Sequence, residues 1–293
     1  MKILPSLDEA LAALEQRAHR HASLDFADRV ALLDDLELHV LDRLQGLAEA
    51  GPLDPQLRAL EERARALYAG LEAANARFLA ILRGRVRSGR YSPGGLRRAF
   101  ERVAIEDAQG VYTALDLLFA GLLAQGAPGQ AQAPLHPDMV YYQPTPAQKV
   151  LDLLQRSELG PADVFCDLGS GLGQVAILAA LLTGAQAGGV EHEPAYVAHA
   201  RACAQALQLP HVSFAQGDAR ETRLGGASVY FLYTPFRGAM LRQVLQRLRH
   251  EAAQRPLRVA TFGPCTAEVA EQRWLRLLAG TLADDEVAVF QSV

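Results

Sequence analysis

The chain has 293 residues, half of them hydrophobic, with a formal charge of −4 and a pI near 6.1. This length allows one large domain or two ordinary ones around a substantial core. The acidic balance argues against a globally basic nucleic-acid binder, and no apolar run reaches the ~20 residues that a bilayer crossing needs. Three widely spaced cysteines, Cys166, Cys203 and Cys265, predict a reducing compartment without disulfides or a zinc knuckle. No signal-peptide pattern opens the chain, so the cytoplasm is the expected location.

Residues 6 to 125 read as helix. A short helix runs from Ser6 to about Arg20. Phe26, Val30, Leu33, Leu36, Val40, Leu44 and Leu47 then recur at three- and four-residue spacing until Gly51-Pro52 stops them. Asp54 is a candidate N-cap with Pro55 at the first helical position, and Leu60, Ala64, Leu67, Leu71, Phe78 and Leu82 make the next stripe. After Gly94-Gly95, the residues Leu96, Phe100, Val103, Val111, Leu115, Leu118 and Leu122 share one face. The reading is a four-helix module over residues 1–125, without repeats.

Charge is uneven along this module. Residues 1–80 carry nine basic and fourteen acidic side chains, whereas Arg83, Arg85, Arg87, Arg90, Arg97, Arg98 and Arg102 face only Glu101 in residues 81–102. Either this stretch meets an acidic or phosphate-bearing partner, with Tyr91 as a stacking surface, or it is a solvated helix end. Residues 126–136, rich in Gly, Ala, Gln and Pro, read as a linker to a second domain over residues 137–293.

That second domain opens on Tyr141-Tyr142-Gln143-Pro144-Thr145-Pro146-Ala147-Gln148. Here Thr145 and Gln148 fit a capping box with Pro146 at the first helical position. The stretch that organises the rest follows: the apolar run Val164-Phe165-Cys166 leads into Asp167-Leu168-Gly169-Ser170-Gly171-Leu172-Gly173-Gln174, and then a uniformly apolar helix begins. Alternate glycines between a strand and a helix let backbone approach closely, and the helix start offers unpaired N–H groups, so a nucleotide-like ligand is expected. A dinucleotide fingerprint would need its last glycine at position 174, where Gln174 stands. That spacing disfavours an NAD-dependent oxidoreductase.

The second strand ends at Glu191, eighteen residues after Gly173, where a carboxylate can accept both hydroxyls of a ribose. Glu193 is the alternative acceptor, or else it opens the next helix with Pro194. Val212 to Gln216 alternates as a third strand before Gly217-Asp218-Ala219, and Ser228 to Tyr233 reads as a fourth strand ending in Thr234-Pro235-Phe236. A helix with Met240, Leu241, Val244, Leu245 and Leu248 inward follows. Leu257 to Gly263 reads as a fifth strand, and Trp274–Leu278 with Val287–Phe290 as a closing antiparallel pair. Cys265 lacks a neighbouring histidine and reads as packing.

These motifs in this order resemble the Rossmann-like (class I) S-adenosylmethionine-dependent methyltransferases. Asp-Leu-Gly-Ser-Gly-Leu-Gly-Gln-Val and Gly-Val-Glu are most similar to the non-SET histone lysine methyltransferases. The implied fold is α/β: a Rossmann-like seven-stranded doubly wound sheet preceded by an all-α N-terminal helical domain. The implied cofactor is S-adenosyl-L-methionine. By the same resemblance, Asp167, Gly169, Ser170, Gly171 and Gly173 hold the methionine portion and Glu191 the ribose. Asp218, with the backbone of Ala219, meets the adenine unless that aspartate only forms a turn. The Tyr-x-x-Pro-Thr-Pro segment folds over the cofactor, giving Tyr142 and Thr145 either a lid role or pure capping. The acceptor lies against Tyr233, Thr234, Pro235 and Phe236, with Tyr233 and Tyr142 as candidates to orient the nucleophile or take its proton. An Asn-Pro-Pro-Tyr/Phe motif of amino-group methyltransferases would start at residue 233. Its Asn is absent here, and lysine methylation is not carried over. The acceptor, protein side chain, RNA or small molecule, therefore stays open. A non-catalytic S-adenosylmethionine or S-adenosylhomocysteine sensor with a partner-binding arm is the alternative.

Overall fold

The computed structural model of the protein describes residues 3–20, 25–106, 114–123, 127–134, 136–223 and 226–293. Val111, Gly126 and Leu135, which the sequence reading used, lie outside them. The chain divides into two compact units, Met1–Gly84 with Arg102–Leu122, and Arg85–Glu101 with Leu123–Val293.

The first part of the chain is helical: α1 (Ile3–Arg20), α2 (Phe26–Leu36), a π turn (Glu37–Leu41), α3 (Asp42–Ala50), α4 (Pro55–Arg87), α5 (Pro93–Glu106) and α6 (Ala114–Leu123). Polar caps start α2 and α4. Asp25 accepts from the Asp28 N–H at 2.9 Å while the Asp28 carboxylate returns to the Asp25 N–H. Asp54 accepts from the N–H groups of Gln56 and Leu57 at 2.9 and 2.8 Å, ahead of Pro55, as the spacing predicts. The expected single helix from Phe26 to Leu47 is instead interrupted by the π turn. Ahead of it Leu32 is buried and Leu33, expected on the stripe, is only half-buried. Leu7, Leu11, Leu32, Leu36, Val40, Leu44, Leu60 and Ala64 close one apolar cluster. Among the described residues the helices are more numerous than the expected four, because the π turn interrupts the second.

The other unit is α/β: α7 (Ala147–Arg156), β1 (Val164–Leu168), α8 (Gln174–Thr183), β2 (Gln186–Glu191), α9 (Pro194–Ala206), β3 (Val212–Gln216), β4 (Val229–Tyr233), α10 (Gly238–Ala252), β5 (Arg258–Phe262), α11 (Cys265–Ala270), β6 (Leu275–Ala279) and β7 (Ala288–Ser292). Seven strands form one sheet in the order β3-β2-β1-β4-β5-β7-β6, with only β7 antiparallel to its neighbours. Parallel strands covered on both faces must be apolar throughout. Accordingly Val229, Tyr230, Phe231 and Leu232 of β4 are each at most 1 % exposed. α8 is buried on every side, which is why it carries no polar stripe. Gly188 and Gly189 in β2 are needed because a Cβ on the first would meet the Ser213 carbonyl oxygen at 2.4 Å and one on the second the Ser170 Cβ at 2.2 Å. The chain reverses its strand order between β1 and β4, so a crevice opens where their carboxyl ends diverge.

Among the described residues no helix is long and apolar enough to cross a membrane. No group of three His, Cys, Asp or Glu among them could hold a metal ion.

Candidate functional site

The crevice at the β1 and β4 ends widens into a cavity of about 620 Å³. Its floor is the turn after β1. Gly169, Gly171 and Gly173 have φ of 85°, 51° and 81°, a region glycine enters without the penalty that a Cβ brings. Each missing Cβ is also filled by protein. At Gly169 it would lie 2.3 Å from Pro235 Cβ, at Gly171 2.2 Å from the Tyr142 ring, and at Gly173 2.6 Å from Ala200 Cβ. The glycines therefore allow β4, the Tyr142 segment and α9 to close on the loop. α8 starts at Gly173 without a side-chain cap, and Gln174 and Val175 at its first turn line the cavity. Gln174, read from sequence only as a departure from the dinucleotide pattern, was missed as a lining residue.

Glu191 ends β2 beside that loop. One carboxylate oxygen accepts from the Gly171 N–H and the other from the Glu193 N–H, both at 2.8 Å. Each oxygen keeps a second lone pair for a hydroxyl donor. Asp167 is 4 % exposed, and burial, with the nearby Glu191 charge second, pushes its carboxyl up to about 8. Ser170 Oγ is buried without a hydrogen-bond partner among the described residues. Tyr142 packs tilted against Tyr196 with ring centroids 5.4 Å apart, and burial, then Asp167, Tyr196 and Glu191, push its phenol up to about 12.

The other wall is the turn after β4. Thr234 has φ of 39°, a strained conformation for a β-branched residue. Its hydroxyl fixes that strain by donating to the Phe262 carbonyl at 3.0 Å and accepting from the Cys265 N–H at 3.2 Å. The turn sets Pro235 against Gly169, and residues 138–140 pair with 235–237 through Val140 N–H to Pro235 O and Arg237 N–H to Asp138 O. Tyr233 rests on Phe262 at 4.6 Å, its hydroxyl 3.4 Å from Gln143 Oε1, and burial raises its phenol above the ordinary value.

The structure brings Tyr142, Thr145, Asp167, Gly169, Ser170, Glu191, Ala219, Tyr233, Thr234, Pro235 and Phe236 around one cavity. Gly171 and Gly173 shape the loop behind it. Asp218 lines an adjoining depression with His192, Gly217 and Arg220. Arg220 grips its carboxylate through two nitrogens and holds it below the ordinary range. The expected capping box is not formed: α7 begins at Ala147 after a Pro146 cap that has no side-chain bond, and Thr145, one residue earlier, faces the cavity instead. Sequence reasoning also missed Asp284 and Asp285, which the β6–β7 loop carries to the rim, and residues 131 and 133, read as linker. Of the arginines, Arg83 donates to the Gly121 carbonyl and Arg97 pairs with Glu101, while Arg85, Arg87, Arg90 and Arg98 are exposed.

An aromatic-lined cavity with a buried carboxyl at the end of β1, an acceptor glutamate at the end of β2, a glycine loop and an orphan hydroxyl fits a nucleoside ligand such as S-adenosylmethionine. Strand order and site together fit a Rossmann-like S-adenosylmethionine-dependent methyltransferase, with S-adenosyl-L-methionine as cofactor and the acceptor unspecified.

Residues 137–214 match the family model described as histone methylation protein DOT1. No curated protein matches the chain. Among solved structures, an RNA methyltransferase from Salinibacter ruber in complex with S-adenosyl-L-homocysteine is 27% identical, covering 51% of this chain and 92% of its own, with a TM-score of 0.39. Precorrin-6y C5,15-methyltransferase from Geobacter metallireducens is 15% identical over 53% of this chain and 92% of its own, with a TM-score of 0.40. The tRNA (uracil-54, C5)-methyltransferase of Pyrococcus abyssi is 18% identical over 52% and 40%, also at 0.40.

Proposed function

We propose that this protein positions S-adenosylmethionine with Asp167, Gly169, Ser170, Gly171, Gly173, Glu191, Asp218, Ala219, Tyr142 and Thr145, and presents its methyl acceptor at Tyr233, Thr234, Pro235 and Phe236. The observation that carries this reading is the meeting of Asp167, Glu191 and the strained Thr234-Pro235 turn around one cavity at the strand-order reversal. When bound, the cofactor supplies an already activated methyl group, so the protein's task is alignment and exclusion of water more than covalent catalysis.

The chain's own groups suit that division of labour. Glu191 presents two acceptor oxygens to vicinal hydroxyls. Asp218 is engaged by the Arg220 side chain and backbone N–H, so an amino donor at the adjoining depression shares its oxygens with Arg220. Tyr142 and Tyr233 are protonated at neutral pH as ordinary phenols are, and burial raises both further, so they orient a nucleophile as neutral hydroxyls and are poor proton acceptors as such. Tyr233, Phe236 and Phe262 give the acceptor an aromatic, partly dry seat. Arg83, Arg85, Arg87, Arg90, Arg97 and Arg98 meet an acidic or phosphate-bearing partner. The work takes place in the cytoplasm.

The test is transfer of a labelled methyl group from S-adenosylmethionine into fractionated cell extract, with Asp167→Ala as the control. Labelling of a defined component by the wild type and its loss in the control support the reading. Binding of cofactor without transfer to any fraction would make the protein a sensor instead. A Tyr142→Phe, Tyr233→Phe double variant that keeps full turnover would remove the orienting role of the phenols.

A further inference from the structure

Residues 127–134 look like a linker, yet they are fastened to the cofactor cavity by one side chain. Glu193 is 6 % exposed, and its carboxylate accepts three backbone N–H groups. One oxygen takes Gln132 and Ala133, both at 2.8 Å, and the other takes Ala195 at 3.1 Å. Burial alone would raise this carboxyl, but the three donors outweigh it and hold the group below its ordinary value, so it is charged at neutral pH. Capping α9 requires only the Ala195 bond, and a glutamate is a rare choice for a cap that Ser, Asp or Asn serves better. The two strap bonds call for the longer side chain.

These bonds continue into the site. The Glu193 N–H donates to Glu191, whose other oxygen accepts from Gly171 in the glycine loop. Ala131 and Ala133 line the main cavity beside Glu191 and His192, Ala133 and Pro134 line the adjoining depression with Asp218, and Gly129 lies against Ala195. A path of three successive hydrogen bonds thus runs from the strap through two glutamates to the loop after β1.

We propose that Glu193 is a latch that holds residues 127–134 as a strap walling the nucleoside end of the cavity, and that through Glu191 it couples strap closure to cofactor binding. The coupling rests on the S-adenosylmethionine reading above; the latch itself does not. Glu193 is a positioning residue, acting through the strap and Glu191.

The experiment compares wild type with Glu193→Asn, which keeps an acceptor to cap α9 but is one methylene too short for the strap, and with Glu193→Gln, which keeps the length. Hydrogen exchange of the ligand-free proteins reads the latch. Amides of residues 127–134 exchange faster in Glu193→Asn while α9 stays protected, and Glu193→Gln recovers part of the protection. Calorimetric titration with S-adenosylhomocysteine reads the coupling. The dissociation constant rises by about tenfold in Glu193→Asn, because the ligand must then order its own wall. Equal exchange of residues 127–134 in wild type and Glu193→Asn overturns the latch. Faster exchange with unchanged affinity overturns the coupling. Failure of the wild type to bind S-adenosylhomocysteine at all overturns the cofactor reading instead, and exchange still decides the latch.

Discussion

Replacing Glu191 by glutamine changes one oxygen to an amino group and leaves the side chain's shape alone. In the protein both oxygens accept backbone N–H groups at 2.8 Å, from Gly171 and Glu193. An amide cannot serve both, so one buried N–H loses its acceptor, at a cost to stability of about 1–3 kcal/mol. A separate loss falls on the ligand. One hydroxyl of a ribose would meet a donor where it now finds a charged acceptor, which costs roughly another 1–2 kcal/mol, or about 5- to 30-fold in affinity. Thermal unfolding reads the first effect as a drop of several degrees, and calorimetric titration with S-adenosylhomocysteine reads the second. A folded Glu191→Gln protein that binds within twofold of wild type would refute the assignment of Glu191 to the ribose.

Two further predictions concern the loop after β1. Gly169→Ala combines a φ of 85° with a Cβ 2.3 Å from Pro235, whose ring is held by the Thr234 turn and cannot swing aside. The left-handed conformation costs about 1–2 kcal/mol and the overlap about 1–3 more, so chemical denaturation finds a marked loss of stability; a midpoint equal to wild type would contradict the clamp. Asp167 is pushed up to about 8 by burial, so between pH 4 and 8 the folded protein binds more protons than the unfolded chain. Stability through this group is therefore greatest at low pH, falls as pH rises toward 8 and levels off above it. Urea midpoints at pH 5.5 and 8 test this: Asp167→Asn gains on the wild type at the higher pH, and a constant difference between the two proteins would show that Asp167 is ionised throughout.

Much of this architecture is legible in the chain because its signals are local. Asp54 and Pro55 announce α4, the unbroken run Val229–Leu232 announces a strand covered on both faces, and the apolar Val175–Leu182 announces a helix buried on all sides. Glu191 follows from its distance beyond the glycine loop. What escapes the sequence is decided by distant partners. Low complexity in residues 127–134 reads as a linker until Glu193, some sixty residues later, supplies acceptors for its amides. Arg220 folds back on Asp218, and nothing in Gly-Asp-Ala shows that the carboxylate is already engaged. Asp284 and Asp285 reach the cavity only because β6 and β7 close the sheet beyond β5. The strain at Thr234 is invisible too, since a β-branched residue predicts extended backbone and only the bonds to Phe262 and Cys265 hold it at positive φ.

The most direct measurement of the central claim is a calorimetric titration of the wild-type protein with S-adenosylhomocysteine, run beside an identical titration with NADH. A cavity whose loop carries Gln174 where a dinucleotide site needs glycine, with Glu191 and Asp167 at its strand ends, predicts saturable binding of S-adenosylhomocysteine at one site and none of NADH. Binding of NADH in preference, or of neither ligand, would contradict the account.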